Sequence, residues 1–176
     1  MANSRISLKM TTRRISLAFL AIFLLCTPVA GKAANKCPWI NEATASGLLG
    51  GDAVGAFTPG ATGQPAVCTF TQQSADATRT LRITVELAAN PHEKLEAAAM
   101  NCGTDTAPLR AIGNEAVVCT VDGRKGAMGE RVVGRVRDQV FSITIGTTLK
   151  VDPILPRDVL KTNILTAAEQ ISGNLF

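Results

Sequence analysis

Between Val132 and Leu149 the chain reads V-V-G-R-V-R-D-Q-V-F-S-I-T-I-G-T-T-L, and in its second half Phe141, Ile143 and Ile145 alternate with Ser142, Thr144 and Gly146. A period of two places the apolar residues on one face, so the stretch is a strand with a single side on a core. Arg137-Asp138-Gln139 interrupts the apolar residues before it, which predicts a hairpin turn there. The remaining elements must supply strands to pair with this hairpin and helices to cover it.

Thr80 to Leu87 repeats the alternation most cleanly, with Leu81, Ile83, Val85 and Leu87 set against Arg82, Thr84 and Glu86. One side of it belongs to the core and the other meets water. Ala66 to Gln72 is the strand before it, and the polar run Gln72 to Thr78 joins the two. Leu109 to Val121 carries a further strand after a bend at Gly113, with Val117, Cys119 and Val121 facing together. Asp122-Gly123-Arg124-Lys125-Gly126 is a turn leading into the hairpin. Gly134, inside the hairpin's first arm, marks a bulge or a close approach.

Three helices are expected. The first starts at Cys37-Pro38-Trp39-Ile40, with Pro38 in its first turn, and ends at Gly50-Gly51. The second opens at Asn90-Pro91, with Glu93 in capping-box position, and ends at Gly103. The third begins near Pro153 or Pro156 and carries Leu160, Ile164, Ala168, Ile171 and Leu175 on one stripe. Residues 51–64, rich in Gly, Ala, Pro and Thr, and residues 104–110 read as loops. This order describes the α+β class: a two-layer sandwich whose mostly antiparallel sheet of about five strands is covered by helices on one side. Each half has a Cys-bearing strand, a stronger amphipathic strand and a helix opened by Pro, a faint internal symmetry.

The first 31 residues stand apart. Arg5, Lys9, Arg13 and Arg14 precede an eleven-residue apolar run, Ile15 to Leu25, and then Cys26-Thr27-Pro28-Val29-Ala30-Gly31. A basic start, a short apolar stretch and small residues make a secretory signal peptide over 1–31. A membrane span needs about 20 apolar residues, so no integral span is expected once the leader is removed. Leu25 is a poor neighbour for a lipidated Cys26, and no lipid anchor is expected. The product, residues 32–176, is one exported domain, secreted or periplasmic.

The leader also explains the charge. It holds four of the 18 basic residues and no acid, so the remainder carries 14 of each sign. The apparent basicity therefore gives no reason to expect nucleic-acid binding. The four cysteines that follow, Cys37, Cys68, Cys102 and Cys119, are spaced 31, 34 and 17 residues apart. An even number in an exported chain favours two disulfides, in any of three pairings. The absence of C-x-x-C argues against a thioredoxin-like site and a zinc knuckle.

Candidate chemistry is sparse. His92 is the only histidine and tyrosine is absent. His92 falls in a helical first turn, and Ser142 has no nucleophile-elbow context. No catalytic residue, cofactor or metal site is expected. Arg131, Arg135 and Arg137 line up on the hairpin's outer face, with Arg124 in the adjacent turn, and Phe57 lies in the 51–64 loop. These five form the candidate binding surface. The single Trp, Trp39, reads as a core anchor.

Cys37-Pro38-Trp39-Ile40-Asn41-Glu42-Ala43 with Leu49-Gly50, then Cys68-Thr69-Phe70, then Gly113-Asn114-Glu115-Ala116, resembles the layout of a family of small exported bacterial proteins. Many of them are actinobacterial lipoproteins carrying a domain-of-unknown-function label. The likeness covers about residues 37–172; Asn114 stands where the family has Asp, and Cys102 and Cys119 are additional to its usual pair. The resemblance implies a curved sheet of cystatin-like or TATA-binding-protein-like form. It also implies Cys37–Cys68 and Cys102–Cys119 bridges, each tying a helix end to the sheet. It implies no activity.

The expected function is non-enzymatic: an envelope-associated domain that binds a protein, glycan or lipid. Two other readings stand beside it. One is a hydrolase using Glu42, Glu115 or Asp122, and the other is an inhibitor that presents the 51–64 loop.

Overall fold

The computed structural model describes residues 36–102, 105–123 and 127–176. The leader expected over 1–31 and Arg124 lie outside the described residues. The chain is α+β. Its elements are α1 (Glu42–Leu49), β1 (Ala53–Thr58), β2 (Ala66–Gln73), β3 (Thr78–Leu87), α2 (Pro91–Ala99), β4 (Thr106–Leu109), β5 (Glu115–Asp122), β6 (Met128–Val136), β7 (Gln139–Thr147) and α3 (Arg157–Leu175). A short 3-10 turn, Met100–Cys102, follows α2.

The strands form one antiparallel sheet in the order β1-β2-β3-β7-β6-β5-β4. Seven strands replace the expected five or so, and both additions, β1 and β4, are edges. Their sequences, A-V-G-A-F-T and T-A-P-L, read as loops because Gly and Pro weaken strands. Pairing along β2 and β5 overrides that composition. Pro108 is tolerated because an edge strand has one side without a partner.

The hairpin turns where expected, with Arg137 at φ 54° between Val136 and Gln139. Gly134 is a close approach and not a bulge. The β6–β7 register runs unbroken, and a side chain on Gly134 would collide with the Phe141 ring opposite. Gly55 bears the same relation to Phe70. Gly113, at φ 60°, lets the chain pass against the Arg135 carbonyl. Asn114 then grips the hairpin: its N–H donates to Arg135 O at 2.8 Å, and its Oδ1 accepts from Arg137 N at 2.7 Å.

One face of the sheet is sealed. α1 lies over β1–β3 and α3 over β6 and β7. Phe70, Leu81, Ile83, Phe141, Ile143, Ile145 and Val132 meet Leu49, Leu160, Ile164 and Ile171 there. Each fully buried large side chain contributes roughly 1.5–3 kcal/mol. Asn163 and Asn174 of α3 donate to Leu48 O and Trp39 O, at 2.8 and 2.7 Å, fixing the amino-terminal segment to the last helix.

Three expectations about helices need correction. α1 starts at Glu42, capped by Asn41 Oδ1 accepting from Thr44 N at 2.8 Å, because the Cys37–Cys68 bridge ties the preceding residues to β2. At α2 the Asn90 side chain caps no backbone group; it meets Glu93 at 3.4 Å. And α2 lies on the opposite face from α1 and α3, where its Leu95 packs with Val133, Cys102 and Cys119 in a small separate cluster. Helices thus cover one face almost fully and the other in part.

Both disulfides form as the resemblance implied, Cys37–Cys68 within the sealed core and Cys102–Cys119 on the other face. Cys37 precedes α1 by several residues, so the first bridge anchors a non-helical segment and not a helix end.

Candidate functional site

The face opposite α1 and α3 is the one with room for a partner. α2 and the 3-10 turn after it shield its β5–β6 side, and α2 also reaches part of β7. Across β2, β3 and β7 it presents Thr69, Thr71, Thr80, Thr84, Ser142 and Thr144, all half-buried. Register places Thr69, Arg82, Thr144 and Arg131 side by side on four adjacent strands. At about 4.8 Å per strand, the two arginine backbones stand about 10 Å apart with Thr144 between them. Arg131 Nε donates to Thr144 Oγ1 at 3.2 Å, which leaves both Nη atoms without a protein acceptor among the described residues. Arg82 is exposed and makes no hydrogen bond or ion pair among them.

The other expected surface residues are placed differently. Arg131 and Arg135 do share the open face, on either side of Val133. Arg135 is committed to Glu115, with Nε at 3.1 Å and Nη2 at 2.5 Å from Oε1. Arg137 sits in the turn, its guanidinium 5.8 Å from the Phe176 ring centre. Phe57 belongs to β1, not to a loop. It sits on the sealed face and packs edge-on to Trp39 with centroids 6.1 Å apart. The two rings occupy each other, so neither offers an exposed aromatic platform. Arg82 was legible as a water-facing residue of β3. Its partnership with Arg131 follows from the β3-β7-β6 order, which lies outside sequence periodicity.

The three carboxylates considered for catalysis lie apart, and each has a partner. Glu42 Oε1 accepts from Gly55 N at 2.9 Å, and Ser46 Oγ accepts from Ala53 N at 2.9 Å. Together these α1 side chains cap two of the outward N–H groups of edge strand β1. Asp122 meets Arg157 at 3.0 Å. Glu115 is held by Arg135 and, at 2.8 Å, by His92 Nδ1; hydrogen bonds from Arg135 first and then His92 hold its carboxyl below the ordinary range. A proton donor needs the opposite shift. Glu130 does shift upward, because burial outweighs the Thr120 hydrogen bond and the Arg157 and Lys161 charges. It borders only a cavity of about 170 Å³ beside Asp105, Arg157 and Lys161. β1 takes residues 53–58 out of the 51–64 stretch, so residues 59–65 remain as the loop an inhibitor would present.

Among the described residues no cluster of three or more His, Cys, Asp or Glu could hold a metal ion. No helix among them is long and apolar enough to cross a membrane. No family model, curated protein or solved structure matches the chain.

Proposed function

We propose that the mature chain is an exported binding domain of the bacterial cell envelope that takes an anionic partner on its open sheet face. The observation that carries this reading is the Thr69–Arg82–Thr144–Arg131 row, in which two arginines whose guanidinium Nη donors are unpaired among the described residues flank the Thr144 hydroxyl on the open face. Guanidinium groups pair with carboxylate and phosphate oxygens in a planar, two-pronged geometry. The same proposal places the chain with the exported family it resembles, and its sheet with the cystatin-like or TATA-binding-protein-like curved forms. An export leader and two disulfides fit an oxidising compartment.

The test is retention of the oxidised mature domain on immobilised polygalacturonate and polyglutamate, against neutral dextran, across a salt series. The polyanions should retain it and release it as salt rises. Arg82→Glu with Arg131→Glu should abolish retention. Equal retention on dextran, or a double variant that binds like the parent, would overturn the reading.

A further inference from the structure

One part of the open face is hollow. Gly129 on β6 and Gly146 on β7 stand directly opposite each other in register. Neither carries a Cβ, so the sheet surface drops there to bare backbone. Side chains at these positions would crowd Ile145 O and Met128 O, at 3.0 and 3.1 Å respectively. Thr80, Thr144, Arg131 and Asn101 stand around the hollow, a shallow depression of about 490 Å³ that is broadly open to solvent. Sites for small molecules commonly measure roughly 300–1,000 Å³.

The lining chemistry is specific. Arg131 spends Nε on Thr144 and keeps two Nη groups to grip a carboxylate. Thr144 Oγ1 accepts that bond and retains its own proton to donate. Thr80 Oγ1 is uncommitted among the described residues, and Asn101 uses its amide nitrogen on Ala97 O at 3.4 Å, leaving Oδ1 to accept. These groups match a ring bearing several hydroxyls. No aromatic side chain is among the residues that line the cavity, so none is on hand there to stack a neutral sugar. Asp122 also borders the cavity, but its carboxylate is spent on Arg157 at 3.0 Å, so among the described lining residues Arg131 leaves one uncompensated positive charge. That single charge suits a singly charged ligand better than a phosphate dianion.

We infer that this hollow seats one acidic sugar unit, a hexuronate, of a glycan lying across the open face. The inference rests on the proposed anionic partner and narrows it to a carboxylated saccharide, with the Gly129–Gly146 floor receiving the ring and Arg131 its carboxylate.

Amide-resolved NMR titration of the oxidised mature protein tests it, using digalacturonate, its neutral counterpart galactobiose, and inorganic phosphate as separate probes. Digalacturonate should shift the Gly129, Gly146, Thr80 and Thr144 amides saturably and bind at least tenfold more tightly than either other probe. Arg131→Gln and the near-isosteric Thr80→Val should each weaken it about tenfold with the spectrum otherwise retained. Equal binding of phosphate would reduce the hollow to a general anion site and overturn the sugar assignment. So would equal binding of galactobiose, shifts scattered away from the four residues, or indifference to both substitutions. If polygalacturonate retention persists while digalacturonate gives no local shifts, the seat fails and the binding face stands. If retention fails as well, both fall.

Discussion

Two rows of residues, one step apart along the strands, cross the whole sheet. The first is Phe57, Cys68, Ile83, Ile143, Val132, Val118 and Ala107; the second is Ala56, Thr69, Arg82, Thr144, Arg131, Cys119 and Thr106. The first row is apolar from edge to edge and, apart from the exposed Ala107, belongs to the core under α1 and α3. The second is hydroxyls and guanidiniums through its middle, with its cysteine tucked under α2. A side-chain period of two makes this separation possible, and a one-residue slip of register would exchange the faces. The same backbone thus carries the main core on one side and leaves the other only partly covered. The comparison teaches that substitutions on the two faces should differ sharply in their cost to stability.

The sealed face is most vulnerable where it is polar. Gln72, Arg79 and Thr147 are register neighbours at one end of it. Arg79 donates to both Asp152 oxygens at 2.7 and 2.8 Å and to Gln72 Oε1 at 2.8 Å, while Thr147 Oγ1 donates to Asp152 at 2.6 Å. The Ile154 and Leu155 N–H groups complete the shell at 2.9 and 3.1 Å, fixing the turn into α3. Asp152→Ala leaves a buried guanidinium without its counter-charge and should cost about 3–5 kcal/mol in urea unfolding. A loss below about 1 kcal/mol would erase the contrast between the faces. Burial pushes the Asp152 carboxyl up, but the Arg79 and Thr147 hydrogen bonds and the two backbone N–H groups outweigh it, holding it far below the ordinary 3.8. Because this pKa is lowered on folding, its stabilisation is complete above 3.8 and is lost as pH falls through the folded value. The parent should therefore lose its advantage over Asp152→Asn on acidification, read from unfolding at pH 7 and below pH 3.

Next in size is the bridge under α2. Cys102 and Cys119 are 17 residues apart, and Cys102→Ser with Cys119→Ser should cost about 3 kcal/mol. Hydrogen exchange should rise most across α2 and the following 3-10 turn, while Ile83 and Ile143 stay protected. Uniform loss of protection would show that α2 and the sealed face unfold as one unit.

A smaller effect of opposite sign is expected at Glu130, a carboxylate on the sealed face. Its pKa is raised by burial, so ionisation weakens the fold above the folded value and ceases to matter below about 4.5. Glu130→Gln should raise stability by up to about 1 kcal/mol at pH 8, with the gain shrinking toward pH 4 in paired thermal melts. A constant gain across that range would assign the effect to packing. Smallest of all, Thr69→Ser and Arg82→Ser should each change stability by no more than about 0.5 kcal/mol in the same melts. A larger loss would mean that the open face also contributes to folding.

Much of this was legible in the chain. The alternations at Leu81–Leu87 and Phe141–Ile145, the turn at Arg137, the bend at Gly113 and the stripe of α3 all announce themselves through local periodicity or backbone demands. Edge strands β1 and β4 did not, because their strand character comes from neighbours distant in sequence and, for β1, from Ser46 and Glu42. The candidate site was half legible. Arg131 stood out within a run of basic residues, but Arg135 looked equally available until Glu115 and His92 were placed beside it.

By itself, the sequence determined the α+β class, the one-faced strands and the stripe of the last helix, since alternation, capping and composition act over a few residues. Tertiary structure alone decided that α2 crosses to the second face, that Asp152 reaches Arg79 across 73 residues, and that Arg82 and Arg131 flank one threonine. Those outcomes depend on strand order and register. Both are set by how whole faces pack together, a property no short window of residues contains.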